Sequence, residues 1–205
     1  MAVVVFIHGF RKKQDDWDTT EHGKDIGIAR QIAKRFFVIC VELDDSDYCR
    51  STFDVATEMH NLLKPLVEEK RVTVVAHSNG CFYAMHLAQI EANQFGRLLL
   101  IDPTLKCDAY RQQLLERVES DSTDVVSARK IENFDALPTT VPNRVVVRIH
   151  FNYTEEISTD RVRRLHDLVK NNVKSRLIAH YDASHMIHYR LPHLIIDSIN
   201  ELSRC

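Results

Sequence analysis

Short apolar runs alternate with longer amphipathic stretches along the 205-residue chain. The apolar runs are nearly continuous in Val, Ile, Leu and Phe, which is typical of strands buried on both faces of a parallel sheet. They predict six strands, which are Val3–Ile7, Phe37–Glu42, Val72–Ala76, Leu98–Ile101, Arg144–Ile149 and Arg176–His180.

The stretches between these strands have helical periodicity. Ile28, Ile32 and Phe36 recur every four residues, and Pro192 stands where a last helix would begin. Alternating strands and helices predict an α/β domain with three layers, in which a mostly parallel sheet of about six strands has helices on both faces. We expect this single domain to cover residues 1–205.

One segment, 103–143, breaks the alternation because it contains no convincing strand. Its first part, "DAYRQQLLERVES", has a helical pattern, whereas "DSTDVVSARKIENFDALPTTVP" is polar and is interpreted as loop. We interpret 103–143 as a short cap-like excursion between two strands and not as a second domain.

The charge balance and the cysteine content limit the classes of protein to which this chain can belong. The chain has 27 Lys and Arg against 29 Asp and Glu, so a nucleic-acid partner, which calls for a basic balance, is not expected. The five cysteines have no metal-site spacing, and reduced, buried thiols are typical of a reducing compartment. No apolar stretch is long enough to span a membrane, and no leader is evident. We therefore expect a cytoplasmic protein.

The pentapeptide "AHSNG", Ala76 to Gly80, lies between the predicted strand "RVTVV" and a helical pattern. A serine hydroxyl is a poor nucleophile unless it stands clear of the sheet where a base can reach it. A sharp strand-to-helix turn achieves this, and it leaves room only for small side chains two residues before and after the serine. Ala76 and Gly80 satisfy that requirement, so Ser78 is a candidate nucleophile.

With its neighbours, this motif resembles a small α/β-hydrolase. "VVVFIHGF" is similar to the family's third strand and the loop that follows it, and "VVAHSNG" to its nucleophile elbow. "LLLIDPT" resembles the next strand, and "YDASHMIHYRLPHLI" the end of the chain with a catalytic histidine before a last helix. The resemblance covers almost the whole sequence, which begins where the family's third strand would.

The resemblance implies roles for individual residues. Ser78 would be the nucleophile and His185 the general base. The backbone N–H groups of Phe10 and Asn79 would form the oxyanion hole, in a loop shaped by "HG" at positions 8 and 9. No cofactor and no metal are implied.

The acidic member of the triad remains open between two residues. In most of the family it follows the strand "RVVVRIH", where Thr154 or, with a shift of one residue, Glu155 stands. A known variation places it after the preceding strand, where Asp102 stands. We prefer Asp102 and keep Glu155 as the alternative. The chain order of nucleophile, acid and histidine holds for both.

The sequence thus predicts a serine hydrolase that cleaves an ester or related acyl bond of a small molecule through an acyl-enzyme. Two alternatives use the same residues: an amidase or peptidase, and a non-catalytic binding protein of the same fold. In the latter, Ser78 would only cap a helix. A metal site at His185, His188 and His193 is disfavoured, because no Glu or Cys stands at ligand spacing.

Overall fold

The structure is a computed structural model, and it describes residues 2–9, 17, 27–68, 70–154, 157–181 and 183–204. Its six described strands are β1 (Val3–Ile7), β2 (Phe37–Val41), β3 (Val72–His77), β4 (Arg97–Ile101), β5 (Val146–Tyr153) and β6 (Arg176–Tyr181).

These strands form one sheet in the order β2-β1-β3-β4-β5-β6, and every neighbouring pair is parallel. The predicted fold class and the six predicted strands are confirmed. Their ends differ by a few residues, as β5 continues to Tyr153 where we expected it to end at Ile149. Because all strands run the same way, their carboxyl ends meet at one edge of the sheet, where ligands bind in open α/β folds.

The described α-helices are α1 (Ile28–Ala33), α2 (Asp45–Tyr48), α3 (Thr52–Val67), α4 (Gly80–Ile90), α5 (Asp108–Ser120), α6 (Val125–Glu132), α7 (Thr159–Val169), α8 (Ile187–Arg190) and α9 (Pro192–Leu202).

Alternate residues of β1 enter two different hydrophobic cores. Val5 belongs to the core that also contains Leu165 of α7, whereas Val4 belongs to the core that contains Ile28 of α1 and Ile195 of α9. Each face of the sheet is therefore covered by helices, which explains why the strands are nearly continuous in apolar residues.

The prediction of a loop after α5 is wrong. Helix α6 and a 3-10 turn, Phe134–Ala136, occupy this part of segment 103–143. The carboxylate of Asp124 caps α6 by accepting from the Ser127 N–H at 3.1 Å. Only Val126 and Ser127 of α6 are buried, so its sequence has too few apolar positions to reveal the helical period.

The four described cysteines, Cys40, Cys49, Cys81 and Cys107, have free thiols. Cys81 is fully buried, and Cys40 is partly buried. Within the described ranges, no helix combines the length and the apolar character needed to cross a lipid bilayer.

Candidate active site

Ser78 occupies a sharp corner between the end of β3 and the start of α4. Its φ of 52° lies in the left-handed region, which is strained for a residue other than glycine. Its N–H donates to the carbonyl of Ile101 on the neighbouring strand at 3.0 Å, which holds the corner against β4. The predicted strand–turn–helix context of the serine is confirmed.

The corner leaves no space for a side chain at Gly80. A Cβ atom there would lie 2.5 Å from the carbonyl oxygen of His8 and 2.8 Å from that of Ile7, because α4 starts directly against the end of β1. Ala76, two residues before the serine, is completely buried. The small residues of "AHSNG" are therefore required by the close approach of β1, β3 and α4.

Gly9, two residues after the end of β1, lies directly against this corner. A Cβ at Gly9 would lie 3.1 Å from the Cβ of Ser78, and the Tyr48 hydroxyl donates to the Gly9 carbonyl at 2.9 Å. The Asn79 N–H has no hydrogen-bond acceptor in the described part of the chain. Phe10 lies outside the described residues, so its part in an oxyanion hole stays a prediction.

Asp102 follows β4, next to the strand that carries the serine corner. Its carboxylate is almost fully buried, with 4% of the side chain exposed. The Nδ1–H of His185 donates to Asp102 Oδ2 at 2.5 Å. The structure therefore brings together the histidine and the acid that we preferred from the sequence. Glu155, the alternative acid, lies outside the described residues.

Two further groups hold the other oxygen of this carboxylate. Arg161 of α7 donates to Asp102 Oδ1 at 2.8 Å, and the N–H of Asn152 on β5 donates to it at 3.1 Å. Burial raises the pKa of Asp102, but the His185 hydrogen bond, the charge of Arg161 and the Asn152 N–H outweigh it and hold the pKa below its ordinary value. The carboxylate thus stays ionised near neutral pH.

His185 and Ser78 line one cavity of about 630 Å³ at the carboxyl edge of the sheet. Because Nδ1–H of His185 donates to Asp102, the neutral ring presents the lone pair of Nε2. In the described part of the chain no hydrogen bond joins the two residues, and Ser78 Oγ lies 3.3 Å from Thr104 Oγ1 instead. Catalytic hydrogen bonds are often formed only once substrate is bound.

His77 stands directly before Ser78, and no role was predicted for it from the sequence. Its Nε2–H donates to the backbone carbonyl of His185 at 3.0 Å, and the two rings lie 4.6 Å apart. His77 thereby ties the end of β3 to the loop that carries His185. Its position beside the serine in "AHSNG" was the signal, but the contact to residue 185 depends on tertiary structure.

His188, three residues after His185, packs in the protein interior. His188 is buried, and its ring packs 4.6 Å from His77 and 4.9 Å from Trp17. Among the described residues, no group of three or more His, Cys, Asp or Glu side chains is arranged to hold a metal ion.

Comparison with known proteins supports the architecture. No family model and no curated protein sequence matches the chain. Among solved structures, it is similar to an esterase from a marine microorganism, with 15% identity, 98% of this chain and 95% of that chain covered, and a TM-score of 0.63. An epoxide hydrolase from Vigna radiata is 13% identical, and the match covers 99% of this chain and 91% of that chain with a TM-score of 0.68. A probable hydrolytic enzyme from Pseudomonas aeruginosa PAO1 is 16% identical, and the match covers 98% of this chain and 85% of that chain with a TM-score of 0.66.

The fold of this chain is therefore the α/β-hydrolase fold. At these identities the likeness defines the fold, and the activity has to be argued from the side chains.

Proposed function

We propose that this protein is a serine hydrolase that cleaves an ester or related acyl bond of a small molecule. The observation that carries the proposal is the hydrogen bond of 2.5 Å between His185 and the buried carboxylate of Asp102, in the same cavity as the strained Ser78. A histidine held by a carboxylate beside a serine on a sharp turn is the arrangement that activates a hydroxyl nucleophile.

In the first half of the reaction, Ser78 Oγ attacks the carbonyl carbon while His185 Nε2 takes the hydroxyl proton. The tetrahedral intermediate then collapses, the bond to the leaving alcohol breaks, and His185 returns the proton to the departing oxygen. This leaves the acyl group on Ser78. A water molecule attacks the acyl-enzyme in the same way and releases the acid.

The negative charge on the carbonyl oxygen needs N–H donors during these steps. The Asn79 N–H fits this role, because it follows the nucleophile and has no acceptor among the described residues. We expect the Phe10 N–H to be the second donor.

Asp102 would orient the imidazole and stabilise the imidazolium that forms in each step. An acid in this position must be ionised, and the lowered pKa of Asp102 satisfies this condition. Arg161 and the Asn152 N–H, which donate to its other oxygen, fix the carboxylate while Oδ2 faces His185. This arrangement favours catalysis over the alternative of a non-catalytic binding protein, which would need none of these contacts.

A fluorophosphonate probe tests the proposal, because it labels an activated serine and ignores an inert one. We expect mass spectrometry to map the label to Ser78, and we expect Ser78→Ala to lose both the label and hydrolysis of p-nitrophenyl acetate. Ser120→Ala, which changes an exposed serine of α5, is the matched control and should behave as wild type. Full esterase activity in Ser78→Ala would overturn the proposal.

A further inference from the structure

Among the described residues that line the cavity beside Ser78, cations outnumber carboxylates, although the chain as a whole is slightly acidic. Three of the described residues that line it are cations, Arg117, Lys130 and Arg161, whereas Asp102 is its one described carboxylate. Over the full sequence, acidic residues outnumber Lys and Arg by 29 to 27. The excess of cations is therefore a local property of the described lining of this cavity.

Helix α5 forms one wall of the cavity. Tyr110, Gln113 and Arg117 line it, and their spacing of three and four residues places them on one face of the helix. The Tyr110 hydroxyl donates to Asn79 Oδ1 at 2.8 Å, so the first turn of α5 lies beside the serine corner. Arg117 stands seven residues later, which is about 10 Å along the helix axis. It therefore borders the part of the cavity remote from the first turn.

Arg117 and Arg161 differ in the charged groups that surround them. Arg161 is paired with Asp102, whereas no carboxylate of the described residues lies within ion-pair distance of Arg117. Lys130 of α6 lies 5.0 Å above the ring of Tyr48 and also borders the small cavity next to Asn79 and Tyr110. Arg117 is exposed and Lys130 is half-buried, so a bound anion could reach both from the cavity.

We propose that the preferred substrates are esters that carry an anionic group, such as a carboxylate or phosphate, several bonds from the scissile carbonyl. Arg117 and Lys130 would bind that group while the ester carbonyl lies at Ser78. A guanidinium pairs with planar or tetrahedral oxyanions through two parallel hydrogen bonds, and an ammonium acts as a point charge. This inference rests on the proposed function, because it names the substrate class of the same site.

The test compares three p-nitrophenyl esters of one six-carbon acyl chain, which end in a carboxylate, a phosphonate or a methyl ester. We expect wild-type kcat/KM for each anionic ester to exceed that for the neutral ester by about tenfold at low ionic strength. The preference should decrease as salt is added, because Arg117 is exposed and Lys130 is only half-buried, so that dissolved ions screen both charges. The carboxylate and phosphonate substrates show which anion the cations favour.

Variants assign the preference to residues. Arg117→Gln and Lys130→Gln should each reduce the ratio of anionic to neutral kcat/KM by about three- to fivefold, which is the range of a partly exposed ion pair. Arg129→Gln is the matched control, because it removes the same charge from α6 at an exposed position outside the cavity. Its ratio should equal that of wild type.

Failure of this inference is distinct from failure of the proposed function. Equal kcat/KM for neutral and anionic esters in an enzyme that the fluorophosphonate labels at Ser78 would overturn the inference and leave the proposed function intact. An equal loss of preference in the Arg129→Gln control would also overturn it. Absence of both labelling and ester hydrolysis would overturn the two together.

Discussion

The buried histidine His150 allows a quantitative prediction of how the stability of this protein depends on pH. Its ring is 2% exposed, with Nδ1 2.8 Å from His180 Nε2 and Nε2 2.8 Å from the hydroxyl of Ser198. Its backbone carbonyl accepts from the Asp102 N–H at 2.7 Å, so the strand that carries it also positions the candidate acid. The substitution His150→Gln keeps a polar side chain at this position but removes the titratable group.

The magnitude follows from the pKa of the ring. Burial and the charges of His180 and Arg148 lower the pKa of His150 from 6.5 to about 3. The folded protein therefore keeps the ring neutral, while the unfolded chain takes up a proton below about pH 6.5. The contribution to stability is complete above that pH and is lost toward pH 3, at about 1.4 kcal/mol per pH unit. At pH 5 this amounts to about 2 kcal/mol relative to pH 8.

The assay is urea unfolding at pH 8 and pH 5, followed by circular dichroism. At pH 8 the variant should be less stable than wild type by about 1–3 kcal/mol, because the hydrogen bonds of the ring are lost. At pH 5 that deficit should be about 2 kcal/mol smaller, because glutamine has no proton to take up. Ser198→Ala is the control, since it removes one partner but keeps the buried ring, and its deficit should be similar at both pH values.

Comparing the stability of variants removes the contribution of groups that do not touch His150, such as His86, whose pKa is lowered mainly by burial. A deficit of His150→Gln that is the same at pH 8 and pH 5, within about 0.5 kcal/mol, would contradict this prediction. It would mean that the ring is solvated or already protonated in the folded protein.

Two further predictions concern the site directly. Asp102→Asn should lower kcat/KM for an activated ester by about three to four orders of magnitude, while Glu155→Gln should change it by less than about threefold. Steady-state kinetics of both variants tests this prediction, and the reverse ranking would identify Glu155 as the acid. Gly80→Ala should destabilise the protein by more than about 2 kcal/mol in urea unfolding, because the added Cβ would lie 2.5 Å from the His8 carbonyl oxygen. A stability close to that of wild type would show that β1 and α4 can separate at this point.

Much of the fold could be predicted from local sequence. Buried strands leave continuous runs of Val, Ile and Leu, and the six runs correspond to the six strands of the sheet. The small residues around Ser78 predicted a sharp corner, because steric crowding in such a turn acts within a few residues. Helix α6 was missed for the converse reason, since it buries too few apolar residues to display a period.

The candidate acid shows where local sequence was insufficient. Asp102 and Glu155 each follow a strand, and which of them could approach His185 depends on the strand order and on where the loops turn. Asp102 is 83 residues from His185 in the chain, yet their side chains lie 2.5 Å apart because β4 and β6 end at the same edge of one parallel sheet.

The fold class, the serine corner and the set of candidate site residues could be predicted from the sequence, because they depend on periodicity and on short-range sterics. Which distant groups surround these residues depends on tertiary structure. Arg161 on Asp102, His77 beneath His185 and Tyr110 on Asn79 join elements between 31 and 108 residues apart. Such contacts leave no periodic signal, since they are set by the order of the strands in the sheet and by how the helices pack on it. The same packing brings Arg117, Lys130 and Arg161 to one cavity, where Asp102 is the one carboxylate among the described lining residues.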